Sequence, residues 1–165
     1  FFLLMLAVEF LRRYNSLFKK YMFIILQPLV RPYENKNFMS GTYLIAISLI
    51  VLVVVPEELK YIVILSISYA SICDAAAAVC GLNYGKIVLF NNKTLEGSTA
   101  FIISGLIITF IYLSFSPELF IENNLLFVLF CPFIAGIVEL LTTMKYDNVT
   151  VPLFSTVYLL ATSAL

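Results

Sequence analysis

The chain has 165 residues, 62% of them hydrophobic and 12% charged, with a mean hydropathy of +1.02. Soluble domains hold about 45–50% apolar residues, so the composition excludes an ordinary water-soluble globule and predicts an integral membrane protein. Ten basic residues balance ten acidic ones, which gives no sign of a nucleic-acid partner, and the absence of His removes the commonest general base and zinc ligand.

The opening stretch FFLLMLAVEFLRR places about eleven residues, or about 17 Å of helix, before its first Arg. That is too short to span a bilayer. The spacing predicts that the sequence opens partway through a helix of a longer protein, and the charge follows the apolar run, which is the wrong order for a signal peptide. A polar connection follows from Arg12 to Ser40, carrying Arg12, Arg13, Lys19, Lys20, Arg31 and Lys36. Within it, Tyr21 to Val30 is apolar, short and broken by Pro28, so it reads as a helix lying at the interface with Lys19 and Lys20 reaching the headgroups. The predicted spans are Gly41 to Val55, closed by Pro56; Tyr61 to Cys80; Ser98 to Phe115; Leu125 to Met144; and Val149 to Leu165. Too little polar chain lies between them for a soluble domain. The expectation is one all-α unit over 1–165, a polytopic transmembrane helix bundle with one interfacial helix.

If these spans alternate, nine of the ten basic residues fall on one side and only Lys60 on the other. The positive-inside rule makes the basic side cytoplasmic. The glycosylation-like triplets at Asn92 and Asn148 then lie on the wrong side to be used. Cys73, Cys80 and Cys131 sit in apolar runs with no C-x-x-C spacing and read as small buried hydrophobes.

Acids inside apolar spans are costly to desolvate and are functional candidates for that reason. Asp74 falls about 10 Å below the cytoplasmic end of its helix and Glu139 about 9 Å below the end of its own. Two carboxylates at one depth could share a metal ion or a substrate hydroxyl; the plainer reading is that each pairs with a nearby Lys or Arg. Ala75 to Ala78, which follow Asp74, let another helix approach closely.

The loop after that helix holds Gly81, Gly85, Lys86, Lys93, Thr94, Gly97 and Ser98. Its glycines are expected to end the helix and bring backbone near a ligand, its lysines to add positive charge, and Thr94 onward to open the next helix. A helix N-terminus with adjacent Lys suits phosphate. The loop does not match G-x-x-x-x-G-K-[ST], and an ordinary connection explains it equally well. In the turn MKYDNVTVP, an N-cap role accounts for one of Asp147 and Asn148 but not both. Together with Glu139 on the basic side they suggest Mg²⁺, which takes hard oxygen ligands and often only one or two carboxylates plus substrate phosphates. Arg31 and Glu34, ahead of Ser40-Gly41-Thr42-Tyr43, read as a second anion-friendly terminus on that side or, equally well, as a solvated pair.

In order along the chain, Glu9 with Arg12; Arg31, Glu34 and Ser40-Gly41-Thr42-Tyr43; Asp74-Ala75-Ala76-Ala77 with Gly81 and Gly85-Lys86; Lys93-Thr94-Leu95-Glu96-Gly97-Ser98; Glu139; and Asp147-Asn148 with Val151-Pro152 resemble the CTP-dependent lipid-alcohol kinases. That family includes dolichol or polyprenol kinase, phytol kinase and the fungal type of CTP-dependent diacylglycerol kinase. Thr94 stands where the family usually has Ser, and the family's N-terminal helices are missing or cut short. The resemblance implies transfer of the CTP γ-phosphoryl group to the hydroxyl of a membrane lipid alcohol on the cytoplasmic face. It implies Glu139 and Asp147 on Mg²⁺, and Arg31, Gly81, Gly85, Lys86, Lys93, Thr94, Gly97, Ser98 and Asn148 on the nucleotide. Asp74, Lys93 and Asp147 would carry the chemistry, with the parts of Asp74 and Asp147 interchangeable. Two rivals are a phosphatidate cytidylyltransferase-like enzyme, and a transporter or channel fragment using Asp74 and Glu139 as an ion path.

Overall fold

The computed structural model describes residues 2–26, 38–115, 125–143 and 146–163, and every regular element among them is a helix. The chain begins with α1 (Phe2–Tyr14) and α2 (Ser16–Leu26), separated at Asn15. The Asn15 side-chain oxygen accepts the Phe18 N–H at 3.0 Å, which satisfies a free donor in the first turn of α2. The helix therefore starts ahead of the apolar stretch expected from Tyr21 and includes Lys19 and Lys20. Pro28 and the residues through Lys36, Arg31 and Glu34 among them, lie outside the described residues.

Near its end α1 buries an ion pair: Glu9 and Arg12 are 1% and 2% exposed, with Arg12 Nη2 2.5 Å from Glu9 Oε1. The same carboxylate oxygen accepts the Met39 N–H at 3.0 Å, just ahead of α3 (Ser40–Val54). A carboxylate at a helix N-terminus is favourable against the macrodipole, so Glu9 fastens α1 to the start of α3. Arg13 completes the contact by lying 3.9 Å from the centre of the Phe38 ring.

After a turn at Pro56, α4 (Lys60–Ser68), a π-type turn (Tyr69–Cys73) and α5 (Asp74–Tyr84) follow without a break. The continuous run Glu57–Tyr84 has 28 residues, and α6 (Leu95–Phe115) has 21. At 1.5 Å per residue these are about 42 and 31 Å, so both are long and apolar enough to cross a hydrocarbon core of about 30 Å. Two shorter helices, α7 (Leu125–Leu141) and α8 (Asp147–Ser163), complete the fold.

Particular contacts set the packing. Tyr69 and Thr109 join their hydroxyls at 2.7 Å, and a Cβ on Gly97 would lie 2.9 Å from the Ala77 carbonyl, so α6 returns antiparallel along the long helix. Gly105 of α6 faces Pro132 of α7, and Gly136 of α7 faces Ile102, which makes that pair antiparallel too. The Thr150 hydroxyl lies 3.1 Å from that of Thr142, where α8 leaves α7. Ile47, Val51 and Val55 seat α3 on Val63, with Val149 and Leu160 of α8 against the same cluster. The starts of α3, α6 and α8 consequently share one end of the bundle with the ends of α5 and α7.

On α6 the buried face carries Gly97, Ser98, Phe101, Gly105, Thr109 and Leu113, whereas Ile103, Ile107, Phe110 and Ile111 are each more than half exposed. Small and polar residues thus share the buried face with two large apolar ones, and further large apolar side chains stand on the exposed face.

Candidate functional site

The end shared by three helix starts contains a second largely buried charged group besides that of α1. The connection from α5 to α6 folds back on itself: Leu95 N–H donates to Ile87 O at 2.9 Å and Leu89 N–H to Lys93 O at 2.7 Å. Its reversal is made at Asn91 and Asn92, with φ of 55° and 60°. Asn is among the few residues that enter this left-handed region at small cost. From there the Asn91 side chain donates to the carbonyls of Leu140 and Leu141, at 3.4 and 3.0 Å, capping the end of α7. In the sequence Asn92 stands out only for its glycosylation-like triplet and Asn91 not at all; the doubled Asn before Lys93 is the available signal.

That reversal sends Lys93 inward. Its side chain is 10% exposed, with Nζ 2.6 Å from Glu139 Oε1 and 3.9 Å from Asp147 Oδ2. Nζ also donates to the Glu139 carbonyl. A cation at the end of α7 is favoured by the helix dipole as well as by the carboxylates. Asp147 is 2% exposed. Its Oδ1 accepts the Asn148 N–H at 2.8 Å, so one oxygen serves the start of α8 while the other faces Lys93. Asn148 is buried beside it.

The glycines of the loop act by close approach. The helix expected to stop at Gly81 continues to Tyr84, because Gly81 is a contact surface and not a terminator. A Cβ there would lie 2.9 Å from Thr94 Oγ1, and one on Gly85 would overlap the Gly81 carbonyl and lie 2.6 Å from Thr94 Cγ2. Thr94 thus fills the space between the end of α5 and the start of α6, where its hydroxyl accepts the Gly97 N–H at 3.2 Å. Lys86 is exposed at the rim, near Glu96, whose carboxylate accepts the Ile87 N–H at 3.4 Å.

Ser98 is nine-tenths buried, and its hydroxyl has no hydrogen-bond partner. It lies one turn before Phe101 and Ile102, which meet Gly136 of α7. One turn beyond Gly136 is Glu139, so the antiparallel register brings Ser98 to the level of the Lys93 ion pair.

Asp74 is half-buried at the first position of α5, directly after the π-type turn and one turn below Ala77. It does not join Glu139 and Asp147 in one ligand set: among the described residues no three His, Cys, Asp or Glu side chains come together. The close partner of Glu139 is Lys93, the plainer of the two sequence readings. A cation bound here would rest on Glu139 and Asp147 and take its remaining oxygens from a ligand, a donor set suited to Mg²⁺. The residues fit such an ion in one concrete respect, since both carboxylates already gather around a positive charge. Arg31 lies outside the described residues.

Compared with protein-family models, characterised proteins and solved structures, the chain has no match.

Proposed function

We propose that this chain is a membrane-embedded phosphotransferase of the CTP-dependent lipid-alcohol kinase type, with its site at the end of the bundle where α3, α6 and α8 begin. The observation that carries the reading is the convergence of Lys93 on Glu139 and Asp147. Phosphoryl transfer is mainly positioning and charge stabilisation, and needs cations on the phosphates, carboxylates for a metal and a group to orient the acceptor hydroxyl. Bound Mg²⁺ would neutralise charge on the phosphate oxygens. Glu139 and Asp147 would hold it, with Asn148 alongside. Lys93, Lys86 and the backbone at Gly97 would take the triphosphate.

Asp74 would orient or deprotonate the lipid hydroxyl; its place at α5 keeps it below the loop, where a headgroup can meet it while the tail remains among apolar helices. On this reading all the helices from α3 onward cross the bilayer, α2 lies at its surface, and the basic end faces the cytoplasm.

The test is transfer from CTP labelled at the γ-phosphate to a panel of polyprenol, phytol and diacylglycerol. Labelled lipid phosphate with release of CDP is expected, together with its loss in a folded Asp74→Asn variant. With phosphatidate added as acceptor, release of pyrophosphate with a CDP-lipid product would instead make the chain a cytidylyltransferase. No transfer to any lipid, with thermal stability indifferent to every nucleotide, would favour transport.

A further inference from the structure

We infer that Lys93 is a resident cation: its ammonium holds the position between Glu139 and Asp147 that a divalent cation would take, and the two compete for the same oxygens. The phosphotransferase reading supplies the anion that receives Lys93 when it leaves, a nucleotide phosphate; the competition itself stands on the side-chain geometry.

The ammonium lies 2.6 Å from Glu139 Oε1 and 3.9 Å from Asp147 Oδ2. A divalent ion in that position would take oxygens from both carboxylates and would at the same time release the lysine. Lys93 can move because its charge sits on a flexible four-carbon stem rather than in a rigid fork. It also springs from a connection just ahead of α6, so its free position is beside the N–H groups of the first turn of that helix. Anions are favoured there, and Thr94 and Gly97 keep the space narrow.

Ser98 lies at the level of Glu139 with its hydroxyl buried and without a hydrogen-bond partner, a group that a bound ion or ligand oxygen at this site would satisfy. The site is therefore built to stay closed to a free divalent cation and to open when metal and phosphate arrive together. Metal and nucleotide should then bind with positive coupling, each raising the affinity for the other.

The experiment is titration of the detergent-solubilised full chain with Mn²⁺ alone, followed by the loss of the free-ion paramagnetic resonance signal. Wild type is expected to bind weakly, and Lys93→Met more tightly by about tenfold or more, because removing a unit charge this close to the ligands lifts a large repulsion. Lys93→Gln retains a donor for the Glu139 carbonyl and provides the same comparison if the Met variant does not fold. Equal Mn²⁺ affinity in wild type and in the folded variant overturns the proposal. Repeating the wild-type titration with CTP should tighten Mn²⁺ binding. Tighter binding in the lysine variants with no response to CTP would uphold the competition and remove the nucleotide reading.

Discussion

Glu139 and Asp147 are both nearly inaccessible, and each is held from the protein side by a different kind of group, an ammonium in one case and a helix-start N–H in the other. Removing one partner of a buried ion pair is expensive because the survivor cannot return to water. Glu139→Gln should therefore cost about 2–4 kcal/mol, the remaining charge of Asp147 offsetting part of the loss, and should abolish phosphoryl transfer. Thermal unfolding in detergent and the labelled-CTP assay measure the two effects separately. Asn91 allows a cleaner separation, since it supplies both a left-handed backbone and a cap on α7. Asn91→Gly keeps the first and loses the second, and should cost about 0.5–1.5 kcal/mol. Asn91→Ala loses both and should cost about 1–2 kcal/mol more. Equal losses in the two variants would show that the reversal carries no backbone strain for Asn to relieve.

At the scale of elements, two helix crossings are so close that hydrogen is the only substituent that fits. A Cβ on Gly97 would meet the Ala77 carbonyl at 2.9 Å, and one on Gly105 would meet Pro132 Cβ at 2.8 Å. Gly97→Ala must push α5 from α6 and is expected to cost about 1–3 kcal/mol in thermal or denaturant unfolding. Gly41→Ala is the control: among the described residues a Cβ there meets nothing within 4 Å. It should gain up to about 1 kcal/mol, because Ala loses less freedom than Gly on entering a helix. These crossings also explain what the sequence reveals and what it hides. The apolar runs announce α3 to α8 because packing them into a core demands apolar residues. Gly81 was expected to end its helix, since a glycine that ends a helix and one that admits a neighbouring helix look alike until the neighbour, Thr94, is known. The π-type turn at Tyr69–Cys73 leaves no mark in composition. Its consequence, the Tyr69 hydroxyl bonded to Thr109 in the middle of the bundle, depends on a residue 40 positions away.

For the whole molecule, the same limit of sequence reasoning applies to the site. Lys93, Glu139 and Asp147 could each be singled out, yet which of the acids would meet the lysine was open, because a residue pair 46 positions apart is fixed only by the antiparallel register of α6 and α7. The sidedness on which the proposed cytoplasmic site depends is open to direct measurement. Glu58 lies in the turn ahead of α4 and Lys86 in the loop after α5, at opposite ends of the long helix, and both are exposed. If that helix crosses the bilayer, a cysteine at one position must react with a membrane-impermeant maleimide from outside intact cells, and a cysteine at the other only after permeabilisation. Cys73 and Cys131 are buried and should stay silent, while the partly exposed Cys80 should first be replaced by Ala. Glu58→Cys is expected to label from outside and Lys86→Cys only from within, since Lys86 shares its end of the bundle with Lys93, which is proposed to take the triphosphate. Labelling of both from the same side would mean that Glu57–Tyr84 lies along the membrane or within the protein interior. A lipid kinase site reached from the cytoplasm could not then be built on it.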